Sequence, residues 1–250
     1  MISLIFQLLL LIHVFRPSQP YCNINKEKSK LSCHDINTIL DYHNECRDKV
    51  AGGRTKLEEG SDIWVLKWDE ELAKVAQDYA NKCTMTHNLE RPKATGENLA
   101  WFATSQNKRC DVKDLIKMWY DEINNYKPDV SITYLLTGHF TQMIWADTKY
   151  IGCGVVFYED GTSSKTPYQT MLVCNYQPPG NYVGEIPYKM YEGKRCTRGV
   201  QSTKYNNLCA HDEMHANGTY SPPCPHLAHS NSFKIQPTAI LLLIFLILAL

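Results

Sequence analysis

Several common functional signatures are missing from this 250-residue chain. Its 10 cysteines include no Cys-x-x-Cys pair, which excludes a zinc ribbon or a thioredoxin-type redox site. The 26 basic residues balance the 26 acidic residues and form no basic run, so nucleic acid is not an expected partner. Neither a nucleophile elbow nor a zincin helix is present. What remains is one domain of about 200 residues between two apolar ends.

The amino-terminal end indicates entry into the secretory pathway. Residues Ile2 to Ile12 form an apolar run interrupted by Ser3 and Gln7, which is typical of a signal-peptide core and short for a membrane-spanning helix. We predict a signal peptide over residues 1–21, without placing its cleavage site; a buried apolar segment is the alternative. In the oxidising compartment that this implies, most of the cysteines are expected to form disulfides.

The carboxyl-terminal end is a second apolar run, Thr238 to Leu250, which is shorter than the roughly 20 residues of a spanning helix. We predict a signal for glycosylphosphatidylinositol (GPI) attachment over residues 228–250, with the candidate attachment residues Ser230, Asn231 and Ser232. A short membrane anchor and a partner-binding end are the alternatives. The expected location is extracellular, at the cell surface. The sequon at Asn217 is a predicted glycan acceptor there.

Hydrophobic periodicity predicts three helices. The first runs from about Asp35 to Val50, the second begins at an N-cap Asp69 and continues toward Cys83, and the third runs from Asp111 to about Tyr126. Glu122 falls on the apolar face of the third helix. Because an unpaired buried carboxylate is costly, Glu122 requires a partner or a wet cavity.

A hairpin is predicted from two strand-like runs, Tyr150 to Tyr158 and Tyr168 to Gln177. Cys153 and Cys174 lie equally far from the middle of the intervening loop, so antiparallel pairing places them opposite one another. We therefore predict a disulfide between them.

Four short motifs occur in order through the middle of the chain. They are His43–Arg47 (HNECR), Gly96–Leu99 (GENL), Gly138–Trp145 (GHFTQMIW) and Met171–Tyr182 (MLVCNYQPPGNY). Together they resemble the signature motifs of the CAP superfamily, which includes cysteine-rich secretory proteins, venom antigen 5 proteins and plant pathogenesis-related proteins. The resemblance covers residues 31–188. It implies an α+β fold, a disulfide-bonded three-layer α-β-α sandwich with a small central antiparallel sheet, and it supports the Cys153–Cys174 pairing.

The segment at residues 189–227 is similar to a shortened form of the cysteine-rich extension of related secreted proteins. It holds three cysteines, Cys196, Cys209 and Cys224. Because this number is odd, at least one of them must pair with the main domain, remain free or link to another chain.

The resemblance also implies a central cleft that collects two histidines and two glutamates. The matching residues are His87, Glu97, Glu122 and His139. Imidazole nitrogens and carboxylate oxygens suit zinc or another divalent cation. The alternative is a hydrogen-bonded polar cluster that needs no metal. Other motif residues, among them His43, Asn44 and Arg47, are predicted to be structural, with side chains bonded to backbone.

As a function, the resemblance favours a non-enzymatic extracellular protein that binds a sterol, a fatty acid or a protein receptor. The Tyr126 to Thr137 stretch is a candidate apolar loop for a lipid, with ordinary packing as the alternative. A metal-dependent hydrolase using the same four residues is a second hypothesis. A third is an interaction module whose cleft is only structural.

Overall fold

The computed structural model describes residues 22–128, 133–211 and 224. Four predictions lie outside the described residues: the signal peptide at 1–21, the glycan acceptor Asn217, the attachment candidates Ser230, Asn231 and Ser232, and the carboxyl-terminal apolar run. Within the described ranges, no helix combines the length and the apolar character needed to cross a membrane.

The described chain alternates helices with strands. The helices are α1 (Cys33–Ala51), α2 (Glu70–Ala80), α3 (Val112–Asp121) and α4 (Thr133–Met143), and a 3₁₀ turn (Glu122–Asn124) follows α3. The strands are β1 (Cys22–Ile24), β2 (Gly60–Ser61), β3 (Lys67–Trp68), β4 (Gly96–Thr104), β5 (Tyr150–Asp160), β6 (Tyr168–Gln177), β7 (Lys189–Met190), β8 (Val200–Gln201) and β9 (Cys209–Ala210).

Capping side chains set the helix boundaries. Asp69 accepts a hydrogen bond from the backbone N–H of Leu72 and begins α2 as predicted. The first helix begins earlier than predicted, because Ser32 and Asp35 form a reciprocal capping box. The second helix ends before Cys83, whose positive φ of 53° is incompatible with continued helix.

The central sheet has the strand order β1-β5-β6-β4, and β3 also pairs with β5. Strands β5 and β6 form the predicted hairpin, with Cys153 opposite Cys174 and a disulfide between them. The nine-residue strand β4 pairs antiparallel with β6. No sequence pattern predicts β4, since Glu97 and Asn98 interrupt its apolar residues.

Helices cover both faces of this sheet. The larger core lies between the sheet and α1, α3 and α4, whereas α2 packs on the opposite face against β5 and β6. Helix α2 packs closely on β5 because Gly152 and Gly154 have no side chain. A Cβ added at Gly152 would lie 2.2 Å from Ala73 N, and one added at Gly154 would lie 2.3 Å from Gln77 Cα. The three-layer α-β-α sandwich with a central antiparallel sheet is therefore confirmed.

Helix α4 corrects one prediction from the sequence. The Tyr126 to Thr137 stretch is not a continuous loop, because α4 already begins at Thr133. Leu136, Phe140 and Met143 follow the spacing of a helix, and the last two are fully buried. The apolar character of this stretch is thus partly that of a helix that packs into the core.

The carboxyl-terminal extension packs on the same core as the sandwich. Tyr205 and Leu208 belong to the main buried cluster. Its cysteines divide between an internal disulfide, Cys196–Cys209, and a bond from Cys224 to Cys33 of α1. Of the three outcomes that the odd cysteine count left open, the structure shows a disulfide to the main domain. A further disulfide joins Cys22 to Cys83, and Cys46 and Cys110 are unpaired thiols.

Candidate functional site

The Glu122 carboxylate connects the turn after α3 to the middle of α4. Its Oε1 accepts a hydrogen bond from His139 Nδ1 at 2.6 Å. Its Oε2 accepts from the backbone N–H groups of His139 and Phe140, at 3.1 and 3.0 Å. The partner that the sequence pattern requires for Glu122 is therefore the imidazole and backbone of α4.

A second His–Glu pair lies at the start of β4. His87 Nδ1 lies 2.8 Å from Glu97 Oε1, which also accepts from the backbone N–H of Asn88 at 2.9 Å. The Glu97 side chain is 0 % exposed, whereas that of His87 is 54 % exposed. The other carboxylate oxygen of Glu97 is buried and has no hydrogen-bond partner among the described residues. The buried Glu97 carboxylate therefore fixes, through its hydrogen bond, the orientation of a histidine that faces solvent.

Asn98 of β4 and Trp119 of α3 link strand β4 to helix α4, which carries His139. Asn98, next to Glu97 on β4, donates from Nδ2 to the backbone carbonyl of His139 at 3.0 Å. The indole of Trp119 stacks near the His139 ring, with centroids 6.1 Å apart and planes at 16°. Trp119 Nε1 also donates to the carbonyl of Leu99 at 2.9 Å. Contacts between elements that are distant in sequence therefore hold His139 beside β4.

Below the cleft lies a buried His43–Tyr176 pair. His43 Nδ1 donates to the Ile39 carbonyl at 2.7 Å, so its Nε2 accepts from the Tyr176 hydroxyl at 2.9 Å. Burial lowers the pKa of His43 to about 4, which keeps the ring neutral at physiological pH. Asn98 lies 3.3 Å from the same hydroxyl and links this pair to the cleft. The sequence predicts backbone bonding for His43 but does not indicate Tyr176.

The guanidinium of Arg47 anchors the segment that follows α4. Arg47 is 0 % exposed. It donates to five backbone carbonyls, at distances of 2.7 to 3.3 Å, which belong to Trp64, Met143, Trp145, Ala146 and Thr148. This confirms a structural role for Arg47, whose bonds fix the end of the helix that carries His139.

The structure divides the four predicted metal ligands into two His–Glu pairs. Across the described ranges, no group of three or more His, Cys, Asp or Glu side chains is arranged to hold a metal ion. In each pair the carboxylate accepts from Nδ1 of the imidazole. This arrangement assigns the glutamates to orienting the rings and leaves Nε2 of each ring as the nitrogen that could bind a ligand.

Sequence comparisons agree with this architecture. The family model for the cysteine-rich secretory protein family (CAP) matches residues 40–176. Venom allergen 5.02 of Vespa crabro is 40% identical over 189 residues, which are 71% of this chain and 90% of the relative. Salivary antigen-5 of Dipetalogaster maximus is 33% identical over 186 residues, or 68% of this chain and 72% of the relative.

Solved structures show the same fold. The crystal structure of NaASP2 with Zn²⁺ aligns with a TM-score of 0.60 and 26% identity, covering 72% of this chain and 97% of the other. BmVAL-1 aligns with a TM-score of 0.59 at 24% identity, covering 72% and 96%. With the family model, the similar venom proteins and the shared three-layer fold in agreement, this chain belongs to the cysteine-rich secretory protein (CAP) family.

Proposed function

We propose that this protein is an extracellular, non-enzymatic binding protein whose cleft takes a divalent cation such as zinc through His87 and His139. One observation carries the proposal: each imidazole directs Nδ1 to a glutamate, at 2.8 Å in one pair and 2.6 Å in the other. A carboxylate on one ring nitrogen fixes the tautomer and makes the other nitrogen a better metal ligand.

The donor set fits zinc in part. Neutral imidazoles are good zinc ligands, and the similar protein NaASP2 has been solved with Zn²⁺. Because no group of three or more His, Cys, Asp or Glu side chains among the described residues is arranged to hold a metal ion, water or a partner must complete the coordination of an ion on these histidines. We therefore expect weaker binding than at a closed four-ligand site. Bound zinc would supply a fixed positive charge in the cleft, which favours anionic or carbonyl groups of a ligand.

The same contacts argue against a hydrolase. A general base must lie within hydrogen-bond reach of the water from which it takes a proton. The Glu97 side chain is 0 % exposed, and Glu122 already accepts three hydrogen bonds. Burial keeps Glu97 from solvent water, and Glu122 is committed to three donors, so the arrangement supports binding rather than turnover.

Extracellular location follows from the relatives and the covalent structure. Venom and salivary proteins are among the similar sequences, and four disulfides join the described residues. Stable disulfides are typical of secreted proteins. A signal peptide, a glycan on Asn217 and GPI attachment near Ser230 to Ser232 remain part of the proposal. Mass spectrometry of protein from a secreting host, before and after phosphatidylinositol-specific phospholipase C, tests them.

Zinc titration calorimetry tests the cleft. We expect saturable binding that is lost in the His87→Ala/His139→Ala double variant and retained in His34→Ala, which removes an exposed histidine from α1. Circular dichroism establishes that all variants are folded. Unchanged binding in the double variant would contradict the proposed site, and zinc-dependent hydrolysis of peptide or ester substrates would favour the enzyme hypothesis.

A second candidate, binding of a fatty acid or sterol, is favoured by exposed apolar side chains near the cleft. Leu89 is 93 % exposed beside the His87 pair, and Leu136 of α4 is 67 % exposed. Val183 is 94 % exposed, in a loop that Asn181 ties to the Gly138 carbonyl at 2.8 Å. In titrations with fluorescent fatty acids and sterols, the affinity should fall severalfold in Leu89→Ser/Leu136→Ser. It should not fall in Met118→Ser. Equal affinities would leave a protein receptor as the expected ligand.

A further inference from the structure

Strand β4 is an outer strand of the central sheet. At Leu99 its backbone carbonyl accepts from Trp119 Nε1, so the backbone polar groups of this residue point away from β6. Since these groups alternate in direction along a strand, those of Trp101 and Ala103 also point outward. Among the described residues, no hydrogen-bond partner is found for the outward groups of Trp101 and Ala103. The outer half of β4 thus offers a free edge.

This edge lacks the features that usually protect outer strands. Proteins commonly place charged residues, proline or a bulge there to prevent pairing with other chains. From Asn98 to Thr104 there is no charge and no proline, and Trp101 and Phe102 are 40 % and 42 % exposed. At the opposite edge, β1 is only 3 residues long, and the charged residues Lys26–Lys28 follow it.

We propose that the outer edge of β4 pairs antiparallel with the same edge of a second copy of this protein. Trp119 already occupies the carbonyl of Leu99, so pairing uses the outward groups of Trp101 and Ala103. The register that joins Trp101 of each copy to Ala103 of the other places Phe102 opposite itself on the two-fold axis. The Phe102 residues of the two copies then form a non-hydrogen-bonded pair, the kind in which facing side chains approach most closely.

The charge pattern favours a second copy as the occupant. A two-fold interface brings each residue near its own equivalent, so any charge in the strand would meet a like charge. Only uncharged residues line this edge, and the central pair is aromatic, which is a favourable cross-strand combination. The pairing segment is short compared with stable interfaces of about 1,200–2,000 Å², so we expect a weak, concentration-dependent dimer.

Sedimentation velocity of the disulfide-bonded protein, purified from a secreting host with the ends that the host leaves, tests this proposal. We expect the mean sedimentation coefficient to rise from monomer toward dimer between roughly 1 and 200 μM, a span suited to a weak interface. Phe102→Lys places two like charges on the axis and should weaken dimerisation at least tenfold. Ala103→Pro should do the same by removing the outward N–H, which the sheet itself does not use.

Met190→Lys is the matched control, because Met190 is also 42 % exposed but lies on β7, in a separate sheet. It should dimerise like the unaltered protein. A protein that stays monomeric at all concentrations would overturn the proposal and leave the edge for a strand from a different partner. Dimers that persist unchanged in both edge variants would place the interface elsewhere and overturn it equally.

Discussion

The buried guanidinium of Arg47 provides the sharpest test of the physical account. Arg47 is 0 % exposed and is bonded to five backbone carbonyls from two segments that follow α1 in sequence. Burial lowers its pKa to about 9, which still leaves the group charged at neutral pH. Replacement by methionine keeps most of the aliphatic volume but removes every donor. The variant Arg47→Met therefore isolates the hydrogen bonds from the packing.

The magnitude follows from the carbonyls that lose a donor, among which those of Trp145 and Ala146 also accept from the backbone N–H groups of Thr148 and Trp64. A hydrogen bond to a charged group contributes about 1.5–3 kcal/mol, and each buried carbonyl left without a donor costs about 1–3 kcal/mol. Relief from keeping a charge buried offsets part of this loss. We expect a net loss of about 3–5 kcal/mol, a large share of the roughly 5–15 kcal/mol that stabilises a typical domain.

Equilibrium unfolding in urea, with the disulfides intact, measures this loss. The free energy of unfolding should fall while its denaturant dependence stays unchanged. Arg54→Met is the control, because Arg54 is 56 % exposed and its ion pair with Asp48 should contribute less than about 1 kcal/mol. A loss of unfolding free energy below about 1 kcal/mol for Arg47→Met would refute the reasoning, because buried carbonyls left without donors should destabilise the protein by more than that.

Three further predictions concern pH, packing and metal. Burial lowers the pKa of His43 to about 4, below its unfolded value of about 6.5, so stability should fall by up to about 3 kcal/mol as pH drops between these values. Urea unfolding at several pH values should show a smaller decline in His43→Gln; an equal decline would contradict this source. Gly154→Ala should cost about 1–3 kcal/mol by thermal unfolding, because its Cβ would lie 2.3 Å from Gln77 Cα. Gly138→Ala, with 3.7 Å to its nearest neighbour, should be tolerated, and equal losses would contradict the packing argument. Glu122→Gln should weaken zinc binding by about 10-fold or more in calorimetry, through loss of the carboxylate that orients His139. A folded variant with unchanged affinity would show that this carboxylate does not tune the ligand.

Much of the local structure could be predicted from neighbouring residues. The N-cap at Asp69 depends on a contact three residues away, and the opposition of Cys153 and Cys174 depends only on a hairpin's symmetry. The motifs also predicted Glu97 and Glu122 as site residues, and in the structure each accepts a hydrogen bond from a histidine. Helix α4 was not predicted, since its start lies in an apolar stretch that resembles a loop as much as a helix.

What the sequence alone determined is therefore three of the helices, the β5–β6 hairpin and the four His and Glu residues that form two hydrogen-bonded pairs. Only the tertiary structure decided that the glutamates orient the histidines, with pairs separated by 10 and 17 residues. It also decided that Arg47 bonds to carbonyls as far as 101 residues away, and that β4 is an outer strand. The physical reason is that capping and periodicity act within a few residues, whereas these contacts require distant backbone segments to be placed by the packing of whole helices on the sheet.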